Sequence, residues 1–158
     1  MTNDNSVPMD TQKMSASADQ LNSLLRGEIA ATETYRMAID KIAGDHASEV
    51  GLLQTIQEEH GRNAQTIRGR IRELGGEPAD ASGAWGAWAK TVQGMAGLLG
   101  ETACIKSLKE GEEHGLKEYE TAAGAVDAQS SQLIRNQLLP AQKKHISLLD
   151  QLISQPKQ

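Results

Sequence analysis

Residues 110–124 read EGEEHGLKEYETAAG, and a related stretch occurs near the N-terminus. At an offset of 84 residues the two stretches share four identities: Gly111 with Gly27, Glu112 with Glu28, Tyr119 with Tyr35 and Ala122 with Ala38. A second repeat follows each copy, at an offset of 85, as Gln57-x-x-His60 and Gln142-x-x-His145. The chain is therefore predicted to form two helical hairpins, each with one Glu on its first helix and one Gln-x-x-His on its second.

Both Glu residues stand in stripes of mostly apolar residues at helical spacing. The stripe of the first predicted helix contains Leu21, Leu25, Glu28, Thr32, Tyr35, Ile39 and Ile42. The stripe of the third contains Ile105, Leu108, Glu112, Gly115, Tyr119, Ala122 and Val126. Steps of three and four residues place such a stripe on one helix face, which packs against neighbouring helices. Glu28 and Glu112 are therefore predicted to point into the core of a bundle, as are both Gln-x-x-His pairs.

Length and composition are typical of one all-α domain. The chain has 158 residues, no Phe and 3% aromatic residues, so Leu, Ile, Val and Met would form a single core. The net charge of -5 argues against nucleic acid as a partner.

No apolar run approaches the ~18 residues of a membrane span and the N-terminus lacks a signal peptide pattern, so the protein is predicted to be cytoplasmic and to bind no membrane. Cys104 is the single cysteine, and a buried, reduced thiol is expected.

The first helix is predicted to begin at Ser17, because Ser17 and Gln20 form a candidate capping box. It should end just before Gly44. Residues 1–16 are polar and aperiodic, so they are predicted to be a disordered tail. Residues 17–158 would then form the bundle domain.

A long link connects the two hairpins. Gly75-Gly76 should end the second helix, since glycine accepts the left-handed conformation at a helix C-terminus. Residues 75–100 exceed the usual 2 to 8 residues of a bundle connection, which implies a crossover with its own short helix, capped by Ser82. Trp85 and Trp88 share one face of that helix, where they would pin the crossover to the bundle; a contact between copies in a homo-oligomer is the alternative.

Three acidic or hydroxyl side chains are candidate helix caps. Asp45 would cap the second helix, and Asp127 or Ser130 the fourth. The third helix is predicted over residues 101–126. Pro140 lies inside the fourth helix, and because it removes a backbone hydrogen bond, a kink or local opening is expected over the four residues before it.

The polar residues of each hairpin are predicted to meet at one height. Glu28 lies 16 residues before Gly44, and His60 lies 16 after it. Glu112 lies 15 residues before Asp127, while Gln142 and His145 lie 15 and 18 after it. At 1.5 Å per residue both sets lie about 22 to 24 Å from their turns, so all four helices would bring polar groups to the middle of the bundle.

These features resemble the ferritin-like superfamily, in which two helices each give a Glu and two others a Glu-x-x-His motif around a pair of metal ions. The resemblance extends over residues 21–153. More narrowly, the chain is similar to a bacterial ferritin-like family of unknown function, through Leu74-Gly75-Gly76-Glu77-Pro78, Ser82-Gly83, Trp88, Gly111-Glu112 and Tyr119.

The resemblance implies a centre of two iron or manganese ions with oxidoreductase-type or metal-handling activity. Its metal-site residues would be Glu28, Gln57, His60, Glu112, Gln142 and His145. Gln57 and Gln142 stand where the superfamily has bridging glutamates, so two divalent ions would keep a charge of about +2 in a core where unpaired charge costs several kcal/mol. The neighbouring Glu58, Glu59, Glu110 and Glu113 are expected to be solvated.

The alternative is a metal-free polar core. Protonated His60 and His145 would pair with Glu28 and Glu112, with the glutamines and the tyrosine hydroxyls completing the hydrogen bonds. The protein would then be a non-catalytic helical module, stress-associated or self-associating. The sequence leaves open whether the protein is an enzyme. His46 and His114 are expected at the surface, and no phosphate loop or nucleophile motif occurs.

Overall fold

The protein, described by a computed structural model over residues 7–44 and 47–156, consists of two antiparallel helical hairpins joined by a helical crossover. The helices are α1 (Met9–Ile42), α2 (Ala47–Glu73), α3 (Gly86–Leu99), α4 (Glu101–Ala123), α5 (Ala128–Leu133) and α6 (Leu139–Ser154). A 3₁₀ turn, Gly83–Trp85, precedes α3, and a π-helical segment, Ile134–Leu138, joins α5 to α6. The described residues include no strand. The predicted all-α four-helix bundle with a crossover helix is confirmed.

α1 begins at Met9, so the predicted start at Ser17 and the predicted absence of structure over residues 9–16 are wrong. Pro8 occupies the cap position, and Asp10 lies in the first turn, where a negative charge is favourable. Residues 9–16 are exposed. They extend a helix that is already nucleated by its buried part, and such extension needs no apolar stripe. The part of the predicted tail formed by residues 1–6 lies outside the described residues.

Ser17 has a different role from the predicted N-cap. Its side chain is fully buried inside α1, and its Oγ accepts a hydrogen bond of 2.8 Å from the backbone N–H of Asp127. Ser17 therefore ties α1 to the turn that precedes α5.

α2 ends in a Schellman motif, as Gly75-Gly76 predicted. Gly75 has a φ of 79°, and its N–H donates to the carbonyl of Arg72, while the N–H of Gly76 donates to the carbonyl of Ile71, both at 2.9 Å. The predicted cap Asp45, and His46 beside it, lie outside the described residues.

The second hairpin differs in detail from its prediction. α4 ends at Ala123 rather than Val126, where Gly124 follows. Asp127 is the cap of α5, because its Oδ1 accepts hydrogen bonds of 3.1 Å from the N–H groups of Gln129 and Ser130. Before Pro140 the helix opens into the π-helical segment, so the predicted local opening is confirmed.

Two apolar clusters fill the bundle on either side of a polar layer. One contains Leu21, Leu25, Ile67, Ile71, Tyr119 and Leu138, and the other contains Tyr35, Ile39, Leu53, Ile56, Leu108 and Leu149. Along α1, α2 and α4 the buried polar residues Glu28, His60 and Glu112 fall between the two clusters. The polar groups are thus held at mid-bundle by packed side chains above and below. Cys104 is buried, as predicted.

The crossover helix α3 packs against α1 and α4. Its Ala89 and Val92 are buried, while Trp85 and Trp88 are half-buried. Trp85 lies against Gly27 of α1 and Trp88 against Gly111 of α4, which confirms that the indoles pin the crossover to the bundle. Ser82 makes no side-chain cap bond, because the 3₁₀ turn intervenes. None of the described helices has the length and apolar character needed to cross a membrane.

Candidate metal centre

A chain of three ionisable residues crosses the middle of the bundle. His60 Nδ1 lies 2.7 Å from Glu28 Oε2, and His60 Nε2 lies 2.9 Å from Glu112 Oε1. All three side chains are at most 3% exposed. Each ring nitrogen of His60 therefore faces a carboxylate, so an imidazolium can donate to both.

Two tyrosines complete the hydrogen bonds of these carboxylates. The Tyr35 hydroxyl donates to Glu112 Oε1 at 2.5 Å, and the Tyr119 hydroxyl donates to Glu28 Oε1. Burial raises the pKa of both phenols well above 10, and the negative charge of the bonded carboxylates raises it further. Both tyrosines are therefore fixed as donors.

The charges in this layer shift one another's pKa values in opposite directions. Burial would lower the pKa of His60, but the charges of Glu112 and Glu28, and their hydrogen bonds, hold it well above 6.5. Burial would raise the pKa of Glu112, yet the charge of His60 and the hydrogen bond from His60 hold it at about 2. In the absence of metal, His60 is therefore a cation between two anions.

His145 approaches Glu112 from α6 with one nitrogen that has no partner. Its Nε2 lies 3.0 Å from Glu59 Oε2, while its Nδ1 lies 3.5 Å from Glu112 Oε2 and makes no hydrogen bond. The side chain is fully buried.

The expectation that Glu59 is solvated is wrong, because Glu59 is 21% exposed and pairs with both His145 and Lys144. Glu58, Glu110 and Glu113 are exposed, as predicted.

The two glutamines behave differently. Gln142 is buried, and its Nε2 donates to the carbonyl of Glu112 at 2.9 Å and to Glu112 Oε2 at 2.6 Å. Since both contacts are acceptors, the amide nitrogen must face Glu112, and Gln142 Oε1 has no hydrogen-bond partner among the described residues. Gln57 points elsewhere, because its Nε2 donates to the carbonyl of Thr32 at 3.2 Å. Five of the six predicted site residues come together, and Gln57 does not join them.

Three of these residues can offer ligand atoms to one ion. Within the described part of the chain, His60, Glu112 and His145 each present one nitrogen or oxygen, and these atoms lie within 4.8 Å of one another. The outer nitrogen of each histidine is held by a carboxylate, Glu28 for His60 and Glu59 for His145. This is the usual arrangement of histidines that bind a metal, because the outer hydrogen bond fixes which ring nitrogen is free.

A small cavity lies beside this cluster under the two indoles of the crossover. It has a volume of about 30 Å³, and its lining includes Trp85, Trp88, Glu28, Glu112 and Gln142. A Cβ on Gly111 would lie 1.8 Å from Trp88 Cζ2. Only a glycine at position 111 permits this approach of the indole to α4.

Sequence reasoning missed two features of the site. One is the position of Glu59, which aligns in the repeat with Lys144 of the second hairpin. The two side chains carry opposite charges and form an ion pair between α2 and α6, so the repeat could have indicated this contact. The other is the role of Gly27 and Gly111, which the sequence showed only as identical residues of the repeat. Their position beneath the indoles depends on the path of the crossover. His114 is exposed, as predicted, and its ring packs edge-on against Trp85 with centroids 4.9 Å apart.

The comparisons with known proteins agree on the fold. The structure is similar to DpsC from Streptomyces coelicolor, with a TM-score of 0.77 and 17% identity over 100% of this chain and 94% of that one. It is also similar to a protein from Bacillus anthracis str. Ames described as a ferritin like, diiron-carboxylate protein, with a TM-score of 0.72 and 16% identity over 94% of this chain and 100% of that one. No curated protein matches the chain.

The predicted ferritin-like fold is thus confirmed. A family model described as a domain of unknown function, DUF2383, matches residues 16–124, which is more than half of the chain. The protein therefore belongs to the DUF2383 family, with a ferritin-like bundle as its fold.

Proposed function

We propose that the protein binds one divalent transition metal ion, iron or manganese, through His60, Glu112 and His145, and acts in metal-dependent redox chemistry or metal handling. The observation that carries the proposal is the orientation of the two imidazoles. Each has its outer nitrogen on a carboxylate and its inner nitrogen facing Glu112. The diiron-carboxylate description of a structural neighbour is consistent with iron.

The charges favour one ion over the two that the superfamily pattern implies. Glu28 and Glu112 are the carboxylates buried in the layer, and their two negative charges balance one divalent ion. A second ion would leave a charge of about +2 in a dry core, at a cost of several kcal/mol. Gln57, which stands in a bridging position of the pattern, is bonded to the carbonyl of Thr32 instead.

In this proposal His60 would hold the ion through Nε2, without the proton that this nitrogen carries in the metal-free protein. Nδ1–H continues to donate to Glu28, and Tyr119 continues to hold Glu28 from its other oxygen. On the other side, Glu59 holds the Nε2–H of His145, so that Nδ1 keeps its lone pair for the ion. The ligand nitrogens are oriented before the ion arrives, which limits the reorganisation that binding requires.

Glu112 is oriented by donors that do not compete with an ion for all of its lone pairs. Tyr35 donates to Oε1 and Gln142 to Oε2. His60, His145 and Glu112 would hold the ion, and an iron or manganese ion bound there would supply one-electron redox chemistry. The crossover indoles lie over this side of the layer and limit the access of water.

Metal loading tests the proposal. The chelator-treated protein is loaded anaerobically with Fe(II) or Mn(II), desalted and analysed for metal, and about one ion per chain is expected. His145→Ala should lower metal affinity at least tenfold, whereas the matched control His114→Ala, which alters an exposed histidine of α4, should bind as the wild type does. Less than about a tenth of an ion per chain with either metal would contradict the proposal, and two ions per chain would restore the two-ion arrangement.

A second candidate function is that of a non-catalytic helical module whose polar layer is structural. It is favoured by one observation: the imidazolium of His60 satisfies Glu28 and Glu112 at 2.7 and 2.9 Å without an ion. In that case replacing His60 alone by leucine should cost the most, because it leaves both Glu28 and Glu112 without a cation. Replacing His60 and Glu28 together leaves one unpaired carboxylate and should cost less, and replacing Glu28 alone keeps the His60–Glu112 pair and should cost the least. Urea unfolding of the three variants distinguishes the cases, and equal losses would count against this function.

A further inference from the structure

The cavity under the crossover has the features of a built site for a small molecule. Its inner wall includes Gln142, which is 3% exposed. The amide nitrogen of Gln142 is committed to Glu112, and its Oε1 has no partner. A buried acceptor without a partner is costly, so a molecule in the cavity that donates a hydrogen bond to this oxygen would be stabilised.

The dimensions of the cavity limit what it can hold. A volume of about 30 Å³ corresponds to about two water-sized positions, since one position needs about 10–15 Å³. The roof is Trp88, whose ring lies on Gly111, together with Trp85, which lies on Gly27. A second, outer pocket of about 260 Å³ shares Trp85, Trp88 and Gly111 with this cavity. We call the small cavity the chamber; the two indoles and Gly111 line both the chamber and the larger pocket.

The carboxylates beside the chamber select against anions. Glu28, Glu112 and His60 all line it, and both ring nitrogens of His60 are already engaged by the two carboxylates. A neutral molecule with an N–H or O–H group meets neither repulsion nor the cost of leaving a charge unpaired.

We propose that this chamber binds one small uncharged molecule of about two heavy atoms that donates a hydrogen bond to Gln142 Oε1, and that Trp88 seated on Gly111 sets the upper limit of its size. Hydrogen peroxide and hydroxylamine have the required size and the required hydrogen-bond donor. If the molecule in the chamber reacts at a bound ion, that role rests on the metal-binding function proposed above. Binding of the molecule in the chamber does not itself require the ion.

Tryptophan emission of the chelator-treated protein tests the proposal without metal. The chain contains two tryptophans, and both form the roof, so the emission reports on the chamber. Hydroxylamine is the small probe and N,N-diethylhydroxylamine the bulky one. The wild type should show a saturable change with hydroxylamine and none with the bulky probe. Gln142→Met keeps the length of the side chain but loses the amide acceptor, and should abolish the response to hydroxylamine.

Removal of the roof provides the size test. Trp88→Ala leaves Trp85 as the reporter and should bind both probes. The matched control Val92→Ala shortens a buried side chain of the same helix that does not line the cavity, and should respond as the wild type does. A wild type that gives no saturable response to hydroxylamine, or that binds both probes equally, would overturn the proposal. If Trp88→Ala does not fold, the wild type and Gln142→Met decide the question. Failure of metal loading would leave these results unchanged.

Discussion

Replacing Gly111 by alanine should destabilise the protein, although alanine favours helix. An added Cβ at position 111 would lie 1.8 Å from Trp88 Cζ2, whereas ordinary contacts begin near 3.4 Å, so the indole must move by about 1.6 Å. Overpacking of this kind costs typically about 1–3 kcal/mol, while replacement of an interior helix glycine gains about 0.5–1 kcal/mol. The net loss expected for Gly111→Ala is therefore about 0.5–2 kcal/mol.

The repeat supplies a matched control for this change. Gly27 precedes Glu28 as Gly111 precedes Glu112, but a Cβ at Gly27 would lie 3.8 Å from Trp85 Cε2, an ordinary contact. Gly27→Ala should thus raise stability by about 0.5–1 kcal/mol. At about 2–4 °C per kcal/mol, melting temperatures of the two variants should differ by several degrees in opposite directions from the wild type.

Thermal and urea unfolding, with tryptophan emission of the folded state, check this prediction. Gly111→Ala should shift the emission to longer wavelength, because the Trp88 indole moves towards solvent. In the Trp88→Ala background, Gly111→Ala should become neutral or stabilising. Equal stabilisation by Gly27→Ala and Gly111→Ala would refute the packing of Trp88 on Gly111.

Three further predictions concern the polar layer. The pKa of His60 is raised in the folded state, so the stability that its protonated ring adds is complete below about pH 6.5 and is lost as pH rises through the folded pKa. The melting temperature of the chelator-treated protein should therefore fall between about pH 6.5 and 9. His60→Gln should remove that trend. Glu59→Gln should lower metal affinity by about 10–100-fold, measured by competition with a chelator, because Glu59 orients His145. It should change stability little, since Glu59 is 21% exposed and its ion pair with Lys144 lies at the surface. Gln142→Glu should destabilise the metal-free protein by repulsion with Glu112 and raise its metal affinity; unchanged affinity would count against the proximity of Gln142 to the ion.

The sequence was sufficient to predict the fold because the signals that define it are local and repeated. The doubled Glu and Gln-x-x-His spacing predicted the two hairpins, and Gly75-Gly76 predicted the end of α2, since helical periodicity and a left-handed cap depend on near neighbours. The start of α1 could not be predicted in the same way. An exposed helical extension has no apolar stripe, so residues 9–16 gave no periodic signal.

The site was predicted as a set of residues but not as a geometry. Counting from the turns placed Glu28, His60, Glu112, Gln142 and His145 at one height. Counting does not specify side-chain rotamers. It therefore did not reveal that Gln57 bonds to the backbone of α1 or that Glu59 reaches His145, although both lie within three residues of His60. Similarly, the indoles were expected against the bundle, but their position above the polar layer depends on the path of the crossover.

Calorimetric titration of the chelator-treated protein with Mn(II) or Fe(II), without oxygen, tests the proposed metal centre most directly. Repeating the titration near pH 7 in buffers of different ionisation enthalpy gives both the stoichiometry and the number of protons released. We expect about one ion per chain and, because the ion replaces the proton on His60 Nε2, release of about one proton. His60→Gln should remove the proton release and weaken binding. No binding, or two ions bound per chain, would contradict a centre for one ion.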